Sequence, residues 1–205
     1  TMPSASVMFA CAAAVARAIP NALAVALQSG WPPPTGEVRY RDRTVGGVLI
    51  FGVTPPYQLV QDYRFAAGEP LTDPDLRERR LVAVLGYDVA KKLFDDPARA
   101  VGRAVRVAGN EVTVRGVVAP KGQVLGQSFD GFVMLPISTF EALYGRRKTT
   151  VVSVKMFDAS QVGPAMDQAE AAMRVAHHLR PGTPDDFTVD KADALLAFWE
   201  SLTKV

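Results

Sequence analysis

Hydrophobic and polar positions change their period several times along this chain, and each change marks an element. Residues 6–19 are small and apolar except for Arg17, and Pro20 ends the run, because a proline ring and its missing N–H stop a helix. Residues 22–27 then read as a strand. Trp31-Pro32-Pro33-Pro34 is a rigid extended stretch that cannot lengthen a ladder, so it closes this first stretch of structure. Residues 37–41 and 45–53 predict a hairpin around Asp42-Arg43-Thr44, with more β-branched side chains in its second half. Pro55 and Pro56 open a short helical segment toward Tyr63. Thr72-Asp73-Pro74 has the form of a helix cap with proline in the first turn, and residues 75–80 read as a charged, solvated helical turn.

The middle of the chain carries the sharpest patterning. Residues 81–85 are apolar throughout, which predicts a strand covered on both faces, and Gly86 releases the chain into a helix over 87–94. In that helix Val89, Leu93 and Phe94 share a face while Lys91 and Lys92 point elsewhere. Val105, Val107, Val112, Val114 and Val118 alternate with period two across a hairpin whose turn contains Gly109-Asn110. From Thr149 a β-branched strand (TVVSVKMF) leads to a helix over 161–179, where Val162, Met166, Ala169, Met173 and Ala176 draw one apolar stripe suited to packing on a sheet. Residues 187–189 read as a returning strand. Asp190 caps a last helix with Ala194, Leu195, Phe198, Trp199 and Leu202 at helical spacing. The pattern predicts an α+β fold with two lobes: a discontinuous α/β lobe over 1–67 and 146–205, and an inserted, small β-rich lobe over 68–145.

The order of these blocks resembles a known family. LVAVLG, YDVAKKLF, VGRAVRVAGNEVTVRGVV and a strand ending in MLP follow one another as in the extracytoplasmic core domain of MacB-type ABC transporter permeases, the MacB/FtsX/LolE-like family. Gly52-Val53-Thr54-Pro55-Pro56-Tyr57 and Gly68-Glu69-Pro70-Leu71 resemble a further pair of family segments, although Glu69 stands where an arginine is usual. Asp185-Asp186-Phe187-Thr188-Val189 with Ala194-Leu195-Leu196 resembles the closing segment. The resemblance implies a porter-like α/β lobe and a domain on the periplasmic side of a bacterial cell membrane. It implies membrane spans outside the chain, a cytoplasmic ABC ATPase as partner, a second permease copy, and a periplasmic adaptor. The implied work is mechanotransmission: ATP hydrolysis elsewhere moves this domain for efflux or export. Lipoprotein-releasing members of the family lengthen the hairpin that here turns tightly at Gly109 and Asn110, which points away from that cargo. Phe198 and Trp199, on the last helix, are the coupling candidates beside the hairpin tip. A soluble periplasmic binding or adaptor module is the alternative reading.

Composition narrows the chemistry. With 23 basic and 21 acidic residues the surface is mixed in sign, and nothing asks for nucleic acid. Cys11 is the sole cysteine, so no intramolecular disulfide forms, and its place in the alanine-rich helix makes packing its role. Residues 1–30 do not read as a signal peptide or a span, because basic residues do not lead the apolar run and Arg17 and Pro20 interrupt it. No glycine-rich phosphate loop or dinucleotide fingerprint is present, so no cofactor is expected and ATP hydrolysis belongs elsewhere. No serine or cysteine sits in a nucleophile elbow, so the chain does not read as an enzyme. His177 and His178 diverge by about 100° on a helix and cannot easily share a metal. Asp95-Asp96 and Asp185-Asp186 read as turn caps. Arg146-Arg147-Lys148 is a basic cluster that reads as a solvated turn or as a contact for an acidic partner loop or lipid headgroups.

Overall fold

The computed structural model describes residues 5–29, 32–121, 123–124, 127–146 and 149–191. In chain order these form α1 (Ala5–Ala18), β1 (Ala22–Ser29), β2 (Thr35–Tyr40), β3 (Arg43–Val53), α2 (Tyr57–Val60), β4 (Phe65–Gly68), α3 (Asp73–Arg77), β5 (Val82–Leu85) and α4 (Tyr87–Phe94). After a 3-10 turn at Pro97–Ala100 come β6 (Ala104–Val107), β7 (Asn110–Val118), β8 (Gln123–Val124), β9 (Gln127–Ser128), β10 (Phe132–Pro136) and α5 (Ile137–Tyr144). The last elements are β11 (Thr150–Met156), a 3-10 turn at Ala159–Gln161, and α6 (Val162–Ala176). Two compact units result, Ala26–Ser153 and a discontinuous one made of Thr1–Val25 with Val154–Val205.

Inside the Ala26–Ser153 unit the strand ladder closes on itself. β3 pairs with β10, β10 with β5, β5 with β7, β7 with β6, β6 with β2, and β2 returns to β3. A closed ring leaves no free edge among its members. One side chain of every two points inward, so Val38, Val48, Ile50, Ala83, Leu85, Val105, Val107, Val112, Val114, Val133 and Leu135 meet in a single buried cluster. Val89, Ala90, Leu93 and Phe94 of α4 and Phe140 of α5 complete it. The outward residues Phe51, Val53, Val84, Phe132 and Met134 are covered instead by Tyr57 and Leu71 in a second cluster. That second layer explains why residues 82–85 are apolar without alternation, since β5 has a core on each side, whereas Leu81, expected in the covered strand, lies before it and is 46% exposed.

Closure also sets the boundary. β2 and β3 are two staves of the ring, so residues 35–53 cannot be separated from the β-rich unit. The division expected at 67/68 and 145/146 falls instead within β1 and β11. A second difference lies in β7. Ala83 is opposite Val114 and Val84 is opposite Gly116, so Arg115 is an extra, bulged residue. The bulge flips the alternation: Val117 joins Val112 and Val114 inside, and Val118 turns outward to the second cluster. At β3, Gly52 has to be glycine, since a Cβ there would stand 2.9 Å from the Ile137 Cα of α5.

In the other unit α6 lies beside α1, and Ala165, Cys11, Val15 and Ile19 are buried. The Cys11 thiol is pushed up by burial and further by the negative charge of Asp186. The strand expected at 187–189 is absent; that segment is irregular, and its Phe187 ring meets His177 at the end of α6.

Candidate functional site

The β6–β7 hairpin turns through two residues, Ala108 (φ 50°) and Gly109 (φ 78°), with Val107 paired to Asn110. Two successive positive φ values are what a two-residue hairpin demands. Asn110 is therefore the first residue of β7, not part of the turn, and its side-chain amide donates to the Ala108 carbonyl at 2.9 Å. The tip is flanked by Arg106 and Glu111, 3.9 Å apart, and by Arg39 across the ladder from Arg106. It carries no extension beyond the two turn residues.

Arg146 is exposed just after α5, and no ion pair or side-chain hydrogen bond joins it to the hairpin tip among the described residues. Arg147, Lys148, Phe198 and Trp199, and with them the expected last helix, lie outside the described residues.

What sequence reasoning placed as solvated caps near the end of α6 is a clasp. Arg174, in the last turn, pairs with Asp185 and donates to the carbonyls of Arg180 and Thr183 at 3.0 and 3.1 Å. His177 lies 2.8 Å from Asp186 through Nδ1, and its ring meets Phe187 edge-on at 5.5 Å. Arg174 and His177 stand three apart on one helical face, so both can reach the same returning segment. The arrangement ties residues 183–187 back onto α6 just before the chain continues past Lys191. The signal was present in the sequence as a basic pair on the helix and an acidic pair nine to eleven residues on, but nothing in spacing alone says that such pairs meet.

Asp75 also departs from expectation, whereas residues 77–80 are exposed as the sequence predicts. Asp75 is fully buried. It closes a capping box with Thr72, accepting from the Thr72 amide at 2.8 Å and its hydroxyl at 2.7 Å. The bulged Arg115 reaches it at 3.4 Å and Arg80 at 3.5 Å, while Arg115 also donates to the Pro70 carbonyl at 2.7 Å. Burial alone would raise the Asp75 carboxyl; the Thr72 hydrogen bonds and the charges of Arg115 and Arg80 outweigh it and hold the carboxyl below its ordinary value. Asp96 does act as a cap, accepting from the Ala98 amide at 3.0 Å, whereas its neighbour Asp95 pairs with Arg43 at 2.8 Å.

The family model described as MacB-like periplasmic core domain matches residues 3–172. The chain belongs to that family. A macrolide export ATP-binding/permease protein MacB from Rhodospirillum rubrum is 32% identical over 153 residues, covering 74% of this chain and 23% of that protein. One from Chlorobaculum tepidum is 29% identical over 180 residues, covering 86% of this chain and 27% of that protein. The chain thus spans about a quarter of the length of the relatives it matches. Among solved structures, the periplasmic region of MacB from Actinobacillus actinomycetemcomitans superposes with a TM-score of 0.72 at 18% identity, covering 94% of this chain and 82% of that one. The extracellular domain of the noncanonic ABC-type transporter YknZ from Gram-positive bacteria gives 0.64 at 18% identity, covering 87% and 92%. The mixed α+β fold of this MacB-like periplasmic core domain is therefore shared with both. Among the described residues no helix is long and apolar enough to cross a membrane.

Proposed function

We propose that this domain is the extracytoplasmic part of an ABC transporter permease subunit and passes ATP-driven conformational change outward for efflux or export. The observation that carries the reading is the family match across residues 3–172. ATP is hydrolysed in a cytoplasmic domain or subunit, the permease works as a pair of copies, and a periplasmic adaptor meets the outer face. The α/β unit, split by the β-rich one in the manner of a porter-like lobe, is the part that takes up motion from the membrane. Two relatives are named for macrolide export, and export suits this chain better than lipoprotein release because the β6–β7 turn has only two residues and offers no arm for docking a carrier.

The clasp at the end of α6 gives the proposal a mechanical element. A pull on the segment beyond Lys191 acts on Asp185, Asp186 and Phe187, and through them on Arg174 and His177 of α6. The helix expected after Asp190, with Phe198 and Trp199, would be the stalk that delivers the pull. Inserting a flexible Gly-Ser segment after Val189 in the full-length permease tests this. Transport is expected to fall while basal ATP hydrolysis persists; undiminished transport would refute the coupling role.

A further inference from the structure

A cleft of about 740 Å3 opens on the Ala26–Ser153 unit, where the β2–β3 turn faces the end of α4 and the 3-10 turn after it. Four arginines, Arg41, Arg43, Arg99 and Arg103, line it against two carboxylates, Asp42 and Asp95, leaving an excess of two positive charges. Two of the four are already engaged: Arg43 pairs with Asp95 at 2.8 Å, and Arg99 lies 4.0 Å from Asp96. The other two are not. Among the described residues Arg41 meets the face of Tyr40, its guanidinium carbon 5.3 Å from the ring centroid, with no carboxylate partner, and Arg103 has no side-chain hydrogen bond or carboxylate partner. Behind the charges stands an apolar wall, in which the rings of Tyr40 and Phe94 are 4.2 Å apart above the buried Leu93.

The backbone at the rim is held in uncommon conformations. Arg41 has φ 53° at the first position of a two-residue hairpin turn, where glycine is favoured. Asp95 has φ 62° and ψ −47°, and the Asp96 amide donates to the Phe94 carbonyl at 2.7 Å, which makes it the centre of a strained three-residue turn. Such conformations persist where surrounding contacts enforce them, and they gather at binding sites. Here they aim Arg41 and Asp95, with the latter's partner Arg43, at one opening.

We propose that this cleft binds a phosphate group carrying an aromatic or other flat apolar substituent. A guanidinium presents paired N–H donors that match phosphate oxygens, and Arg41 and Arg103 bring two forks to the opening against the single remaining carboxylate of Asp42. The half-buried Tyr40 ring takes the substituent, with the buried Phe94 packed behind it. The ligand that fits is a soluble phosphate monoester; a lipid phosphodiester, a monoanion with no flat apolar substituent, is the competing outcome that the experiment excludes.

The isotope-labelled 205-residue chain is titrated with phenyl phosphate, inorganic phosphate, benzoate, and vesicles of phosphatidylcholine with or without phosphatidylglycerol. The amides of residues 40–43 and 94–103 are followed by NMR. Phenyl phosphate is expected to shift them saturably, with a Kd of about 1 mM or below, more tightly than inorganic phosphate or benzoate. The double variant Arg41→Gln/Arg103→Gln should weaken binding by about tenfold or more, and Arg103→Lys should recover only part of the loss because lysine lacks the fork. Both arginines are exposed, so the remaining signals of the variants should superimpose on wild type and exclude misfolding. Binding of phenyl phosphate without vesicle binding assigns a soluble phosphoester. Binding only to phosphatidylglycerol vesicles, even if lost in the double variant, overturns the proposal, because that phosphodiester carries no flat substituent. The proposal is overturned if no probe gives saturable shifts up to about 20 mM, if benzoate binds as tightly as phenyl phosphate, or if the double variant binds unchanged.

Discussion

Replacing Asp75 separates a structural carboxylate from a solvated one, and its cost can be worked from the contacts. Asp75→Ala removes the reciprocal half of the α3 capping box, worth about 1 kcal/mol. It also strands the Thr72 amide and removes the charge that Arg115 faces, a side chain only 24% exposed. A hydrogen bond to a charged group contributes about 1.5–3 kcal/mol, and the ion pairs add little beyond it because the arginines are partly solvated. The sum is about 3 kcal/mol for alanine and about half that for Asp75→Asn, whose carbonyl still accepts from Thr72. For a chain of this size that corresponds to melting temperatures lower by roughly 9 °C and 4 °C, read by circular dichroism at neutral pH. The dependence on pH has a definite sign. The folded carboxyl titrates below its ordinary 3.8, so its contribution is complete above that value and is lost as pH falls through the lower folded value. Wild type and Asp75→Asn should therefore converge as pH falls below 3.8. Equal melting temperatures at neutral pH, or a gap that stays constant as the pH is lowered well below 3.8, would refute the argument.

Two other outcomes follow from the ring and its tightest turn. Gly109→Val should cost about 1–2 kcal/mol in urea unfolding, purely through the positive φ of 78°, because an added Cβ there meets nothing within 4 Å; an unchanged midpoint would contradict that backbone conformation. A fragment of residues 26–153 should show cooperative thermal unfolding by circular dichroism, whereas residues 68–145, which lack β2 and β3 and so cannot close the ladder, should not; a cooperative shorter fragment would mean that closure is not what organises this unit.

Much of the element order was legible because it rests on local chemistry. Pro20 had to end α1, Thr72 and Pro74 had to start a helical turn, and Val105, Val107, Val112 and Val114 had to face one way. What escaped the sequence was of a different kind: each miss depended on a partner that the local pattern does not name. Period two says that a strand has an inner face but not which strand lies beside it, so the pairing of β3 with β10, which closes the ring and moves the boundary to residue 26, left no local trace. The same holds for Val118, whose side was reversed by one extra residue at Arg115.

That extra residue shows how the misses are connected. Arg115 looks like an outward residue in an alternating strand, and Asp75 looks like one more charge in a polar turn, 40 residues earlier. The bulge leaves Arg115 without a place in the β5–β7 register and frees its side chain to reach Asp75 and the Pro70 carbonyl. Once it does, Asp75 can be buried without an uncompensated charge, and α3 is pinned to β7. The Asp185 and Asp186 carboxylates are likewise held by Arg174 and His177, which makes a clasp where solvated caps were expected. In both places polar side chains that the local pattern reads as solvated fix a segment by meeting partners outside it. The conformational path of this MacB-like domain should therefore be sought in its ion pairs rather than in its apolar core, whose closed ring has no register left to change.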